Sequence, residues 1–124
     1  MGDGIRGEYI ALIIYGFVGL IQLELGCADA TDMSADEAMS HYDHYADEAL
    51  QLMLKKNHDY DEAWRSMRIT SYTDFILTKI QRVKEIEDND GATLVSEGIG
   101  SNYMDIINYS VFGVIRLNEQ HEQD

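Results

Sequence analysis

Apolar residues recur at three- and four-residue spacing through four segments of the chain, and proline is absent throughout. That period is helical, so the pattern predicts an all-α fold, a bundle of about four main helices. The first segment runs from about Glu8 to Leu25 and stops at Gly26, after which residues 28–33 read as a linker. The second opens on a capping box, Ser34 with Glu37, and continues to about Asn57, with Ala38, Tyr42, Tyr45, Ala49, Leu52 and Met53 on its inward face. Residues 57–70 lack a long period and predict a loop with one short helical turn carrying Trp64. A third helix is expected from Ser71, boxed with Asp74, to about Asp88. A turn and a short extended piece follow, then a fourth helix from Ser101 to Glu119 and a fraying tail.

The first and last of these segments are related. Laying residues 4–24 on 98–118 gives eight identities in 21 positions, ending at Leu23 and Leu117. An internal repeat at an offset of 94 residues divides the chain into residues 1–30, the last helix of a degenerate first repeat, and residues 31–124, a complete second repeat. The first copy is therefore incomplete in this sequence. Ala11 stands against Asp105 and Ile14 against Asn108, apolar in the partial copy and polar in the whole one. Packing does not require those polar groups, so a site is expected in the second copy.

A chain of 124 residues suits one domain folding by ordinary packing. Its net charge of −14 repels phosphate backbones and anionic lipid, which argues against a duplex-binding module. The single cysteine, Cys27, excludes an intramolecular disulfide and suits a reducing, cytoplasmic setting. The uninterrupted apolar run at residues 9–21 is thirteen residues long, short of the roughly 20 that a membrane helix needs. A core helix is expected there, with no membrane contact. Because that helix is apolar on nearly every side, it needs cover, and a homodimer is predicted.

Polar groups then appear where the pattern expects apolar ones. On the third helix Tyr72, Phe75, Ile76, Val83 and Ile86 share a face, and Lys79 falls in its middle. On the otherwise apolar fourth helix, Asp105, Asn108 and Tyr109 gather on one side. A buried carboxylate must be paired, hydrogen-bonded or metal-bound, and Lys79 is the expected partner of Asp105. A structural ion pair that only fixes register would look the same. The segment at 55–68 adds Asp59 as a possible Mg²⁺ ligand, Tyr60 and Trp64 as surfaces for a base, and Arg65 with Arg68 as a phosphate clamp; a plain solvated loop is the competing reading. His41, His44 and Glu48 stand at helical spacing, but without the His-Glu-x-x-His order they predict an acidic solvent-facing stripe rather than zinc.

The strings KNHDYDEAWRSMR, SYTDFILTKIQRVKEIED and SEGIGSNYMDIINYSVFGVI resemble the nucleotide-modification-associated domain family over about residues 50–118. The family's pattern falls here on Lys56, Asp59, Tyr60, Trp64, Arg65, Thr73, Asp74, Lys79, Arg82, Glu97, Gly98, Ile99, Asp105, Asn108 and Tyr109. The resemblance implies association with phage and bacterial pathways that alter nucleotides or DNA bases, without a defined reaction. More distantly the layout is similar to the all-α, MazG-like nucleoside triphosphate pyrophosphohydrolases, which hold Mg²⁺ with a Glu-Glu-x-x-Glu helix and a later Glu-x-x-Asp helix. Asp105 matches the final Asp of that scheme, but Asn102 replaces its Glu and no Glu-Glu-x-x-Glu occurs. An enzyme would place Asp105, Lys79 and Asp59 at the reaction. Asp59, Asp74, Glu97 and Asp105 would hold Mg²⁺, while Tyr60, Trp64, Arg65, Arg82, Asn108 and Tyr109 would bind a nucleoside triphosphate. The alternative is a noncatalytic module that senses a nucleotide or docks on a modifying enzyme.

Overall fold

A computed structural model describes residues 2–25, 33–60, 63–88 and 98–123, with side chains described for 4–25, 33–58, 63–88 and 98–120. Four helices, α1 (Gly2–Leu25), α2 (Ala35–Tyr60), α3 (Ile69–Asp88) and α4 (Ile99–Gln123), pack together with one 3₁₀ turn, Ala63–Ser66, between α2 and α3. The described residues contain helices and turns only, as the apolar period predicts. The extended piece expected between the third and fourth helices lies outside the described residues.

Local signals account for most of the boundaries. Ser34 caps α2 by accepting a hydrogen bond from the Glu37 amide at 3.2 Å. The Ser71–Asp74 box is not used, because α3 begins two residues earlier at Ile69. The Ser71 amide donates to the Arg68 carbonyl, so Ser71 already lies inside the first turn. The second helix also outruns its expected end at Asn57 and reaches Tyr60. Gly98, at φ of +50°, supplies the left-handed residue that turns the chain into α4.

The core is centred on α4, whose Ile106 and Ile107 are almost fully enclosed, together with Ile76, Val83 and Ile86 of α3 and Tyr45 and Ala49 of α2. Helix α1 lies antiparallel to α4, and the contact is built from the repeated residues. The Tyr9 ring lies over Gly113, and the equivalent Tyr103 ring lies over Gly19. A glycine beneath each ring is needed, since a Cβ on Gly113 would stand 2.6 Å from two atoms of Tyr9. The hydroxyl of Tyr9 then reaches α3, within 3.1 Å of Thr73 Oγ1 and donating to the Ile69 carbonyl at 3.3 Å. Tyr45 on α2 donates to Glu24 of α1 at 2.6 Å.

Burial covers only part of α1. Tyr9, Leu20 and Ile21 are enclosed, whereas Ile10, Ile14, Tyr15 and Val18 are exposed. By length and composition Gly4–Leu25 is apolar enough to cross a membrane, a property that a core helix shares.

Candidate functional site

Asp105 is 8% exposed on the second turn of α4, and its two carboxylate oxygens are taken by two different helices. Lys56 Nζ of α2 stands 3.1 Å from Oδ1 and Lys79 Nζ of α3 stands 3.1 Å from Oδ2. The Lys79 pairing is the one the sequence predicts. The second lysine was not expected there. Lys56 continues the inward row Tyr45, Ala49, Met53 at helical spacing, and that row persists because α2 runs past Asn57. Both lysine side chains remain partly open to water, at 51% and 31%, so the carboxylate is the buried member and the ammonium groups face outward.

The cluster separates two cavities. One, of about 250 Å³, is lined by the aromatic residues Trp64, Tyr109 and Phe112, by Met53 and Met67, and by Asn57, Asn108, Lys56 and Asp105 at its polar end. The other is a wider cleft of about 800 Å³ bounded by Lys79, Arg82 and Glu85 of α3 and by Ser101 and Asn102 of α4. Lys79 thus faces the cleft while its partner Asp105 faces the aromatic pocket. The chain carries an excess of acid overall, yet Lys56, Lys79 and Arg82 outnumber Asp105 and Glu85 along this line.

The polar residues of α4 are held in place by the helix backbone and its neighbours. Asn108 donates through Nδ2 to the Ala49 carbonyl of α2 at 3.2 Å, and Asn102 donates to the Gly98 carbonyl at 3.1 Å. Tyr109 stacks on Phe75 with ring centroids 5.0 Å apart and planes 2° from parallel. That contact explains how Phe75, expected inward, stays useful while 44% exposed. Trp64 stacks on Phe112 at 4.3 Å and carries the Arg65 guanidinium 4.5 Å from its ring centroid. Its π-surface is therefore engaged within the fold, and Trp64 acts here as the wall of the pocket. Its backbone carbonyl accepts from the buried Tyr72 hydroxyl, tying the 3₁₀ turn to α3.

Of the remaining predicted site residues, Arg82 lies on the cleft with Lys79, and the others that are described lie elsewhere. Arg65 pairs with Glu119 at the far end of α4, and Arg82 pairs with Glu85 at 3.2 Å on its own helix. Asp74 is exposed on α3. Asp59 and Tyr60 belong to the last turn of α2, but their side chains, like Glu97, lie outside the described residues. His41 lies 3.6 Å from Glu24, and His44 lies 3.2 Å from Glu48.

Among the described residues no three of His, Cys, Asp and Glu come together as metal ligands. The donor set at Asp105 also fits a cation poorly, because a divalent ion on either oxygen would sit beside an ammonium group already there. Two of the four predicted Mg²⁺ ligands, Asp59 and Glu97, have side chains outside the described residues.

Residues 56–117, half of the chain, match the family model described as nucleotide modification associated domain 1. The chain belongs to that family. The match begins at Lys56 and ends at Leu117, so it takes in Asp105, both of its lysines, the cleft and all of the aromatic pocket but Met53, and leaves α1 outside. Comparison with curated proteins and with solved structures gives no match. The structure thus supplies an all-α, four-helix setting for a nucleotide-modification-associated domain.

Proposed function

We propose that this nucleotide-modification-associated domain binds a nucleoside triphosphate or a related phosphorylated nucleotide across the Lys56–Asp105–Lys79 cluster. The carrying observation is the position of that cluster, with an aromatic pocket on one side and a cleft bearing Lys79 and Arg82 on the other. The pocket, at about 250 Å³, is smaller than sites for drug-sized ligands and suits a single base or nucleoside. Tyr109, Phe112 and Trp64 would border the base, with the amides of Asn57 and Asn108 nearby for its polar edge. Lys79 and Arg82 would receive the phosphates. Asp105 would fix the direction of both lysines and keep them apart.

Hydrolysis within the triphosphate, with Mg²⁺ supplied in solution, is the enzymatic form of this reading. The engagement of both Asp105 oxygens by ammonium groups favours the noncatalytic form, a sensor or docking module, because it leaves Asp105 no oxygen to activate water, and Glu85, the described carboxylate in the cleft, is paired with Arg82.

Trp64 is the only tryptophan in the chain and lines the pocket, so its emission reports occupancy directly. A panel of ribo- and deoxyribonucleoside triphosphates should change that emission saturably. Lys79→Met should weaken the response at least tenfold, and added salt should weaken it further. Chromatography of the same mixtures with Mg²⁺ or Mn²⁺ then separates turnover from binding. A panel that leaves the emission of the folded protein unchanged would refute the proposal.

A further inference from the structure

We infer that Asn108 reads the base, and that the aromatic pocket takes bases carrying an exocyclic amino group in preference to those without one, a step that rests on the nucleotide reading above. Asn108 is 8% exposed and lines the pocket. Its amide has one workable orientation. Nδ2 donates to the Ala49 carbonyl, and turning the amide over would set Oδ1 against that carbonyl, acceptor to acceptor. Oδ1 accepts no hydrogen bond from the described residues. Nor is it sealed off, since the closed and unpartnered buried side-chain atoms among those residues are Trp64 Nε1 and Ser110 Oγ. A side chain that is nine-tenths buried and cannot turn away thus keeps a free acceptor open to the pocket.

The neighbours make this end of the pocket accept rather than donate. Asp105, one turn earlier on α4, lines the same pocket as a carboxylate. The donor beside it is Lys56, whose ammonium is half open to water and already paired with Asp105. It can stay hydrated when a base gives it nothing. Asn57 selects nothing, because an amide can present either end. Asn108 Oδ1 has no such freedom. A base that displaces water from it must replace the lost hydrogen bond or forfeit affinity, and the loss is greater for a buried acceptor than for one at the rim.

An exocyclic amino group is the part of a base that meets this requirement. It projects beyond the ring and carries two hydrogens, so it can donate to Asn108 Oδ1. A keto group in its place turns a lone pair on the same oxygen, and the ring N–H beside a keto group cannot approach without bringing that carbonyl along. Cytosine, adenine and guanine carry the amino group; uracil, thymine and hypoxanthine do not. The internal repeat also supplies the substitution that removes the acceptor, because the equivalent of Asn108 in α1 is Ile14. Isoleucine therefore suits the helix at this position and leaves the wall of the pocket apolar.

Titration of the full chain, followed by Trp64 emission, with matched triphosphates tests this. The pairs are guanosine with inosine, adenosine with purine riboside, and cytidine with uridine, each contrasting the presence and absence of an amino group. In the tightest-binding pair the amino member should bind about tenfold or more tightly, as expected when its partner leaves one buried acceptor unmatched. In Asn108→Ile that ratio should fall toward one while the helical circular dichroism signal is retained. Two results overturn the inference and leave the nucleotide reading standing: saturable binding in which the member without the amino group is as tight, or an amino preference that persists in folded Asn108→Ile. If Asn108→Ile does not fold, the three pairs measured on the parent decide alone. An emission that no triphosphate changes ends both readings together.

Discussion

Gly113→Ala is a stringent test of the α1–α4 contact, because helix propensity and packing predict opposite signs for it. Alanine in a helix interior is worth about 1 kcal/mol over glycine, so propensity alone predicts a more stable protein. Packing predicts the reverse. The new Cβ would lie 2.6 Å from Cε2 and Cζ of Tyr9, against an optimal carbon–carbon separation of roughly 3.5–4.0 Å. The ring or the helix must therefore move by about 1 Å. Tyr9 cannot easily move, since it is only 2% exposed and its hydroxyl is tied to α3 at Ile69 and Thr73. Overpacking of this kind costs about 1–3 kcal/mol, and a held ring puts the cost at the upper end. After the propensity gain, a net loss of about 2 kcal/mol remains. For a domain of this size that lowers the melting temperature by roughly 6–10 °C. Thermal melts followed by circular dichroism give the number. Gly7→Ala should raise the melting temperature, since its Cβ meets nothing. In a Tyr9→Ala chain the cost of Gly113→Ala should vanish and its sign reverse. An unchanged or higher melting temperature for Gly113→Ala with Tyr9 present would refute the docked geometry of α1.

Two further outcomes follow from the buried polar groups. Asp105→Ala should cost only about 1–2 kcal/mol in urea titrations, below the 3–5 expected on breaking a fully buried pair, because the released ammonium groups of Lys56 and Lys79 can turn to water. A loss above about 4 kcal/mol would mean that Asp105 is primarily architectural. Burial pushes the hydroxyls of Tyr45, Tyr72 and Tyr103 above their ordinary value of 10.0, with Glu24 adding to the effect at Tyr45, and Tyr15 and Glu87 at Tyr103. Stability should then be insensitive to these groups below about pH 10 and fall above it, where the unfolded chain ionises first, by up to about 1.4 kcal/mol per pH unit for each tyrosine. Urea melts between pH 9 and 11 on the parent and Tyr103→Phe check this, the variant showing the shallower decline.

Much of the site was legible because a charge on an apolar face is informative in itself. Lys79 interrupts a row whose other members include Tyr72, Ile76 and Val83, all buried, and Asp105 sits on a helix with almost no other charge nearby, so each needed the other. Lys56 lies inside the expected second helix and on the family pattern, but its pairing with Asp105 joins residues 49 positions apart on two helices, and no short-range pattern encodes that contact. The role of Trp64 was not decidable from spacing, because the same residue can serve a base or a core. Its partner Phe112 comes from a helix 48 positions away, and no short-range pattern encodes that stack. The start of α3 was misplaced because Ser71 with Asp74 reads as a capping box, whereas the helix already starts at Ile69 and the Ser71 amide donates to the Arg68 carbonyl within the first turn.

The repeat turns these observations into an internal comparison between two helices of one chain. Their shared residues, Tyr9 with Tyr103 and Gly19 with Gly113, meet each other across the α1–α4 contact, so identity has been kept where the two copies touch. The differences that place Asp105 and Asn108 in the second copy fall on the face turned away from that contact. There Asp105 and Asn108 are bound to lysines and to the α2 backbone, while Ala11 and Ile14 are exposed, with no helix above them among the described residues. A polar residue introduced at random on a packed face would be costly, and its absence from the partner copy shows that the helix pair does not depend on it. The Asp105 cluster is therefore an addition to a packing scheme that works without it. That argues for a function at the cluster more strongly than its burial alone, and it is why Asp105→Ala should remove nucleotide binding while leaving the α1–α4 contact intact.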